Sequence, residues 1–157
     1  MKILMDSDCL IKLAKAGIKE NICQHFKITI PAIVKKEVVD AGKIKGLPDA
    51  DRVEENINKD IIRVAGKESL IRLKGDQALI EFFKRGKYDA IASDDAKLIR
   101  ILRLTGIRFI LPGLLIYLIF QKNIIDEETA LNWLEKLSPF ISEDEYSVIK
   151  FLLEGKS

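Results

Sequence analysis

The sequence predicts a small α/β protein, a three-layer α/β/α sandwich whose central sheet is mainly parallel. Short apolar strands alternate with helical patterns along most of the chain, and parallel neighbours in a sheet need such crossover helices between them. The chain has 157 residues, enough to bury one core, and it shows neither an internal repeat nor a linker. We therefore expect a single domain over residues 1–157.

The first half of the chain supplies three of the strand patterns. Pro31 stands where a helix tolerates proline best, at its first position, and Gly42 would follow the end of that helix. In chain order, this half predicts a strand at 2–5, a helix from 6–8 through 14, a strand at 26–30, a helix from Pro31, a helix at 49–58 and a strand at 61–65.

The second half continues the alternation and then becomes purely helical. Gly75 and Asp76 begin a helix that runs to Arg85. After it the pattern predicts a strand at 88–93, a helix at 95–105, a strand at 107–111 and helices at 113–122, 126–137 and 142–154.

Composition excludes several classes of protein. The longest apolar run, 109–120, is interrupted by Pro112 and Gly113 and is shorter than the roughly 20 residues of a membrane helix. An acid directly follows the short apolar run at the N-terminus and no small-residue cleavage site is present, so we expect no secretory signal and a cytoplasmic location.

The cysteines and the histidine give little scope for catalysis. Cys9 and Cys23 are fourteen positions apart in apolar surroundings, and we expect them to be reduced core residues. His25 is the one histidine, and we expect it to be a surface or half-buried residue. Chemistry in this chain must therefore depend mainly on carboxylates.

Charge is unevenly distributed along the chain. Residues 84–108 contain seven Lys or Arg and three Asp, whereas residues 123–157 contain eight acids and three lysines. Such an imbalance is usually a solvated face, but a basic stretch beside acids is also typical of an enzyme that handles a polyanion.

Acids follow two of the predicted strands. Asp6 comes directly after the first, and Asp94 and Asp95 come after the strand that ends at Ser93. Each could cap the next helix, but two consecutive acids exceed what one cap requires. The carboxyl ends of parallel strands are also where sites gather in such folds.

Two further acids lie on the apolar sides of predicted helices. On a wheel of about 100° per residue, Glu37 falls about 40° from Ile33, within the apolar arc, while Lys35 and Lys36 point away. Asp76 shares the stripe of Ile80 in the same way, although it could instead be a helix cap. A carboxylate buried without a partner is costly, so a cation or strong hydrogen-bond donors are expected near Glu37, unless its carboxylate extends past the rim of the helix to solvent.

Several acids at one rim of a sheet repel one another unless divalent cations lie between them. Hard oxygen ligands favour Mg²⁺ or Mn²⁺ over zinc. Such ions can activate water for attack on a phosphodiester, a mechanism that needs no histidine.

Four segments resemble the motifs of PIN-domain nucleases, in the same order. Residues 6–13, DSDCLIKL, resemble the opening D-x-[ST]-x-L-I-x-L of that family, and residues 30–38, IPAIVKKEV, resemble I-P-x-x-V-x-x-E-V. Residues 74–80, KGDQALI, are similar to G-[ED]-x-E-A-I, and residues 92–98, ASDDAKL, to the T/S-D-D segment. The resemblance covers about residues 1–111, and residues 112–157 resemble the helical C-terminal extension of a prokaryotic, VapC-like subgroup.

This resemblance implies a three-layer sandwich and metal-dependent cleavage of RNA. Asp6, Glu37, Asp76 and Asp94 would then form the Mg²⁺ or Mn²⁺ site, with Asp95 as a neighbour. Many members of the family are toxins with an antitoxin protein as partner. Two departures bear on activity: Asp8 stands where Ser or Thr is usual, and Gln77–Ile80 lacks the second glutamate.

Lys97 and Arg100, one turn past the acids, are candidate phosphate contacts. Two alternatives remain open. Asp6-x-Asp8 also resembles the nucleophile and acid of haloacid-dehalogenase phosphatases, which form an aspartyl-phosphate, although Leu10 replaces their Thr or Val and Glu37 has no role there. A degenerate PIN fold could instead act as a binding module, with the apolar residues between Leu114 and Phe120 as the seam of a homodimer or partner complex.

Overall fold

The computed structural model describes residues 1–40, 42, 46, 48–59, 61–65 and 75–155, except for the side chains of residues 37, 40, 48, 49 and 75. The strands are β1 (Lys2–Met5), β2 (Lys27–Pro31), β3 (Ile62–Ala65), β4 (Ala90–Ala92) and β5 (Phe109–Ile110). The α-helices are α1 (Ser7–Lys15), α2 (Lys19–Cys23), α3 (Ala32–Lys35), α4 (Pro48–Asn58), α5 (Gly75–Arg85), α6 (Ala96–Thr105), α7 (Pro112–Gln121), α8 (Glu127–Leu137) and α9 (Glu143–Glu154).

The five strands form one parallel sheet in the order β3-β2-β1-β4-β5. The first strand of the chain lies at its centre, where Ile3 pairs with Ile28 on one side and with Ala90 on the other. The main-chain N–H of Asp6 extends this pairing by donating to the carbonyl of Ala92. The residues that follow β1 and β4 are therefore neighbours, as the sequence predicts for acids at parallel strand ends.

Side chains of β1 alternate between the two faces of the sheet. Ile3 and Met5 belong to the larger apolar cluster, and Leu4 belongs to the smaller one, as the two-residue period of a strand requires. The smaller cluster contains side chains of α5 and α6, such as Leu79 and Leu98. Helices cover both faces, which confirms the predicted three-layer α/β/α sandwich.

The C-terminal helices pack into the larger cluster. Ile116, Leu134 and Leu153, one from each of α7, α8 and α9, are fully buried there. The apolar residues between Leu114 and Phe120 are likewise buried or half-buried against this core. Packing within the chain is thus sufficient to explain their hydrophobicity.

Side-chain caps begin four of the helices. Asp6, Asp95, Asp126 and Ser142 each accept a hydrogen bond from a main-chain N–H in the first turn of α1, α6, α8 and α9, respectively. Such caps satisfy donors that a helix leaves unpaired at its start. Gly106 ends α6 with a φ of 70°, a left-handed conformation that glycine adopts at little cost.

The helix after β2 differs most from its prediction. Pro31 is the last residue of β2, with a ψ of 152°, so it precedes the helix and does not begin it. The α-helix ends at Lys35, a π-helical turn occupies Lys36–Asp40, and Gly42 itself has helical backbone. A π-helical turn is wider than an α-helical one, and Val38 and Val39 within it are both buried. A wheel of constant pitch therefore does not hold beyond Lys35.

Other differences are smaller. Helix α2 and a 3₁₀ turn at Ser138–Phe140 were not predicted. Strands β4 and β5 are shorter than predicted, and β5 lies at the edge of the sheet, where it pairs with β4. Cys9 and Cys23 are free and buried and His25 is half-buried, as predicted. None of the described helices has the length and hydrophobicity needed to span a bilayer.

Candidate functional site

Asp6 is the most buried of the acids whose side chains the structure describes at the carboxyl edge of the sheet, with 6% of its surface exposed. Its Oδ1 accepts a hydrogen bond of 2.8 Å from the N–H of Cys9, which caps α1. Its Oδ2 accepts from the hydroxyl of Ser93, at the end of β4. Asp6 therefore has both the structural role and the central position that its place after β1 predicts.

Ser93 connects the two strand ends. Besides donating to Asp6, its Oγ accepts a hydrogen bond of 3.1 Å from the N–H of Asp95. The side chain is fully buried, and a buried hydroxyl needs such partners. Ser93 thus fixes Asp6 relative to the turn that carries Asp94 and Asp95.

Asp94 and Asp95 have different partners. Oδ1 of Asp95 accepts from the N–H of Leu98 at 2.8 Å and caps α6. Oδ2 of Asp94 accepts from Nζ of Lys12. Oδ1 of Asp94 is buried and has no hydrogen-bond partner among the residues that the structure describes. Of the two consecutive acids, one is used as a cap and the other is available for a further partner.

A cavity of about 450 Å³ lies beside these strand ends. Its charged lining consists of Asp6, Asp8, Asp76, Asp95 and Lys97. Asp76 comes from the first turn of α5, which begins at Gly75, so Asp76 is inside the helix and is not its cap. Three separate segments of the chain thus bring four aspartates to one cavity.

The acids of this cavity affect one another. The pKa of Asp6 is raised from 3.8 to about 7, mainly by burial and to a smaller extent by the charges of Asp8 and Asp94, against hydrogen bonds from Ser93 and Cys9 that lower it. Burial and the charge of Asp95 also raise the pKa of Asp76. Protonation of these carboxyls, or a bound cation, would relieve the cost of burying them.

The side chain of Glu37 lies outside the described part of the structure. Its backbone belongs to the π-helical turn, and Val34, one turn earlier in the chain, forms part of the cavity wall. The assignment of Glu37 as a ligand therefore stays a prediction. Lys74, at the start of the third motif, also lies outside the described residues.

The two predicted phosphate contacts face different cavities. Lys97 lines the acidic cavity, whereas Arg100 lines a second one of about 830 Å³ with Asp94, Arg103 and Glu145. Both basic side chains are exposed. The turn at Asp94 and Asp95 thus separates two recesses, each with a cation at its wall.

The carboxylate oxygens at this site are the type of ligand that Mg²⁺ and Mn²⁺ prefer. The partnerless Oδ1 of Asp94 and the raised pKa of Asp6 point to the same need for positive charge. Within the described chain, however, no three acidic, histidine or cysteine side chains gather closely enough to enclose one ion. The acids line the cavity as separate groups.

Sequence reasoning did not identify three residues of this network: Ser93, Lys12 and Glu145. Glu145 belongs to α9, is buried, and accepts a hydrogen bond of 2.8 Å from the N–H of Gly113. Ser93 stands in the fourth motif, where a buried hydroxyl next to two acids is a usable signal. The other two partners become apparent only through contacts across the fold.

Comparisons with known proteins agree with the fold. A family model, DUF3368, described as PIN domain, matches residues 2–154 of the chain. No curated protein and no solved structure matches it.

Proposed function

The chain belongs to the PIN-domain family, whose members have a nuclease fold and usually depend on a divalent metal, and on this premise we propose that it is a Mg²⁺- or Mn²⁺-dependent endoribonuclease. The observation that carries the proposal is the acidic cavity. Asp6, Asp76 and Asp95 come from three separate segments and line one recess at the carboxyl edge of the sheet. Asp6 and Asp95 also cap helices, but capping does not account for Asp76 in the same recess, and acids this close repel one another unless a cation lies between them.

Asp6, Glu37, Asp76 and Asp94 would hold the metal, with Asp95 beside them as the cap of α6. A bound divalent ion would activate water and stabilise negative charge on the phosphate and the leaving oxygen. Ser93 contributes by holding Asp6 through its hydroxyl. The nearby apolar side chains of Val34 and Leu79 shape the cavity and reduce its access to bulk solvent.

We assign the RNA backbone to the exposed cations beside the cavity. Lys97 lies in the same recess as the acids and Arg100 in the neighbouring one, so a strand that passes over the turn between them meets both. Phosphate contacts of this kind supply affinity that falls with salt.

Lys97→Ala is expected to weaken RNA binding several-fold and to reduce the slope of log affinity against log salt by about one, as for the loss of one phosphate contact. Binding is measured by fluorescence anisotropy at several salt concentrations with single-stranded RNA. Lys136→Ala, at an exposed position of α8, is the matched control and should leave the slope unchanged. An unchanged slope for Lys97→Ala as well would remove Lys97 from the RNA-binding surface.

The family match favours the nuclease over the phosphatase alternative. A phosphatase of that type would form an aspartyl-phosphate on Asp6. We therefore expect that no aspartyl-phosphate can be trapped after the protein is incubated with a phosphate ester.

The family resemblance extends the proposal to a biological setting. We propose that the enzyme acts in the cytoplasm as the toxin of a toxin–antitoxin pair of the VapC-like subgroup, with an antitoxin protein as partner and a homodimer as its assembly. Growth arrest after induced expression in a bacterial host, relieved by Asp6→Asn, is the expected result. Normal growth with active enzyme would exclude the toxin role, and a monomeric mass by light scattering would exclude the dimer.

The experiment that tests the proposed activity is cleavage of single-stranded RNA by purified protein with Mn²⁺, with Mg²⁺ or with EDTA. Cleavage is expected only with metal, and isothermal titration should show Mn²⁺ binding to the RNA-free protein. A protein that neither binds Mn²⁺ nor cuts RNA would instead be a binding module. Cleavage that persists undiminished in EDTA would contradict the metal-dependent mechanism.

A further inference from the structure

Lys12 is the cation in direct contact with an acid at the carboxyl edge of the sheet. It lies on α1, and its Nζ donates to Oδ2 of Asp94, which follows β4. The side chain of Lys12 is 29% exposed and that of Asp94 only 10%. A pair this deeply placed is less screened by solvent than the surface ion pairs that contribute little to a fold.

The two oxygens of Asp94 have different surroundings. Lys12 engages Oδ2, while Oδ1 is buried and accepts no hydrogen bond from any residue that the structure describes. A buried carboxylate oxygen without a donor is costly to maintain. The ion pair therefore orients the carboxylate and leaves Oδ1 without a donor among the described residues.

Lys12 is itself held by more than Asp94. The charges of Asp8 and Glu145 also act on its ammonium group. Glu145 in turn accepts a hydrogen bond from the N–H of Gly113. The attraction of Asp8 and Glu145 therefore adds to that of Asp94 in keeping the ammonium group at this edge of the sheet.

We propose that Lys12 is a positioning residue of the metal site: its ammonium group binds Oδ2 of Asp94 and thereby presents Oδ1 to a divalent cation. This inference rests on the proposed function, because it needs Asp94 to be a ligand. Carboxylates that bind metals are commonly oriented by hydrogen bonds of this kind, and removing such a partner typically lowers metal affinity about 10- to 100-fold.

If Lys12 instead competed with the metal ion for Asp94, removing Lys12 would change the metal affinity in the opposite direction. If the ammonium group merely competes with the cation for Asp94, its removal adds net negative charge to the site and tightens metal binding. The direction of the change in affinity thus distinguishes positioning from competition.

The test is Mn²⁺ binding to RNA-free protein by isothermal titration, with RNA cleavage measured in parallel. We expect Lys12→Met to bind Mn²⁺ about 10- to 100-fold more weakly than the parent, and Lys12→Arg to regain most of the affinity because it restores the cation. Lys15→Met, at an exposed position of the same helix, should match the parent. Circular dichroism establishes folding, and Lys12→Gln replaces Lys12→Met if that variant does not fold.

Equal or tighter Mn²⁺ binding by Lys12→Met would overturn the inference, as would a loss of affinity that Lys12→Arg shares in full. Either result leaves the nuclease proposal standing while the parent binds Mn²⁺ and cuts RNA. A parent protein that does neither overturns both proposals, so the two failures are distinguishable.

Discussion

Asp6→Asn is expected to lower the rate of metal-dependent RNA cleavage by more than about a hundredfold, because losing even an indirect partner of a metal ligand can cost that much. The fold should remain intact. Asn is as good an N-cap as Asp, so its carbonyl oxygen can still accept from the N–H of Cys9, and its amide can donate to Oγ of Ser93. The variant thus removes charge from the site while keeping the local hydrogen bonds.

The chain offers a closely matched control. Asp126 caps α8 with the same geometry, accepting from the N–H of Thr129 at 2.8 Å, but it is exposed and is not among the residues that line the acidic cavity. Asp126→Asn should cut RNA at the parent rate. If Asp6→Asn also did so, Asp6 would have no part in the reaction, and loss of activity in the first variant alone excludes a contaminating ribonuclease.

The second large effect concerns stability against pH in metal-free protein. The pKa of Asp6 is 3.8 in a model compound and about 7 in the fold, mainly through burial. Between these values the folded protein binds a proton that the unfolded chain has lost, so the free energy of unfolding must fall as pH rises through this window. For a shift of this size the loss reaches about 4 kcal/mol at pH 8.

Asp6→Asn should lose much less stability over the same range, and at pH 8 without metal it should be more stable than the parent. Urea unfolding in EDTA at pH 4.5, 6 and 8 measures both proteins, and groups other than Asp6 largely cancel in the difference. If the free energy of unfolding changed with pH in the same way in both proteins, burial of Asp6 would not raise its pKa in the fold. The inactive variant is thus expected to be the more stable one, as when a site is maintained at the expense of folding energy.

The local pattern of apolar and turn-forming residues in the sequence was sufficient to predict much of this fold. All five strands were predicted from short apolar runs between turn signals, and their parallel order follows from the helices between them. The exceptions have local causes. Pro31 fits either a strand end or a helix start because its ring fixes φ and leaves ψ free, and the π-helical turn at Lys36–Asp40 has no signature in a constant-pitch wheel.

The candidate site was predictable only where acids follow strands or lie in the motifs. Asp6 and Asp95, which follow β1 and β4, line one cavity together with Asp76 of α5, whereas Asp94 lines the neighbouring recess. Lys12 and Asp94 are 82 positions apart, and neither the spacing along α1 nor the composition indicates their contact. A helix periodicity shows which side a residue faces, but not which group stands opposite it.

The central position of β1 in the sheet has a consequence for synthesis of the protein. One neighbour of β1, β4, is made much later than the other, and the partners of Asp6 and Lys12 lie just beyond it. A chain still emerging from the ribosome cannot complete the acidic pocket until that late segment is available. The proposed nuclease is therefore expected to stay inactive until translation has passed this segment.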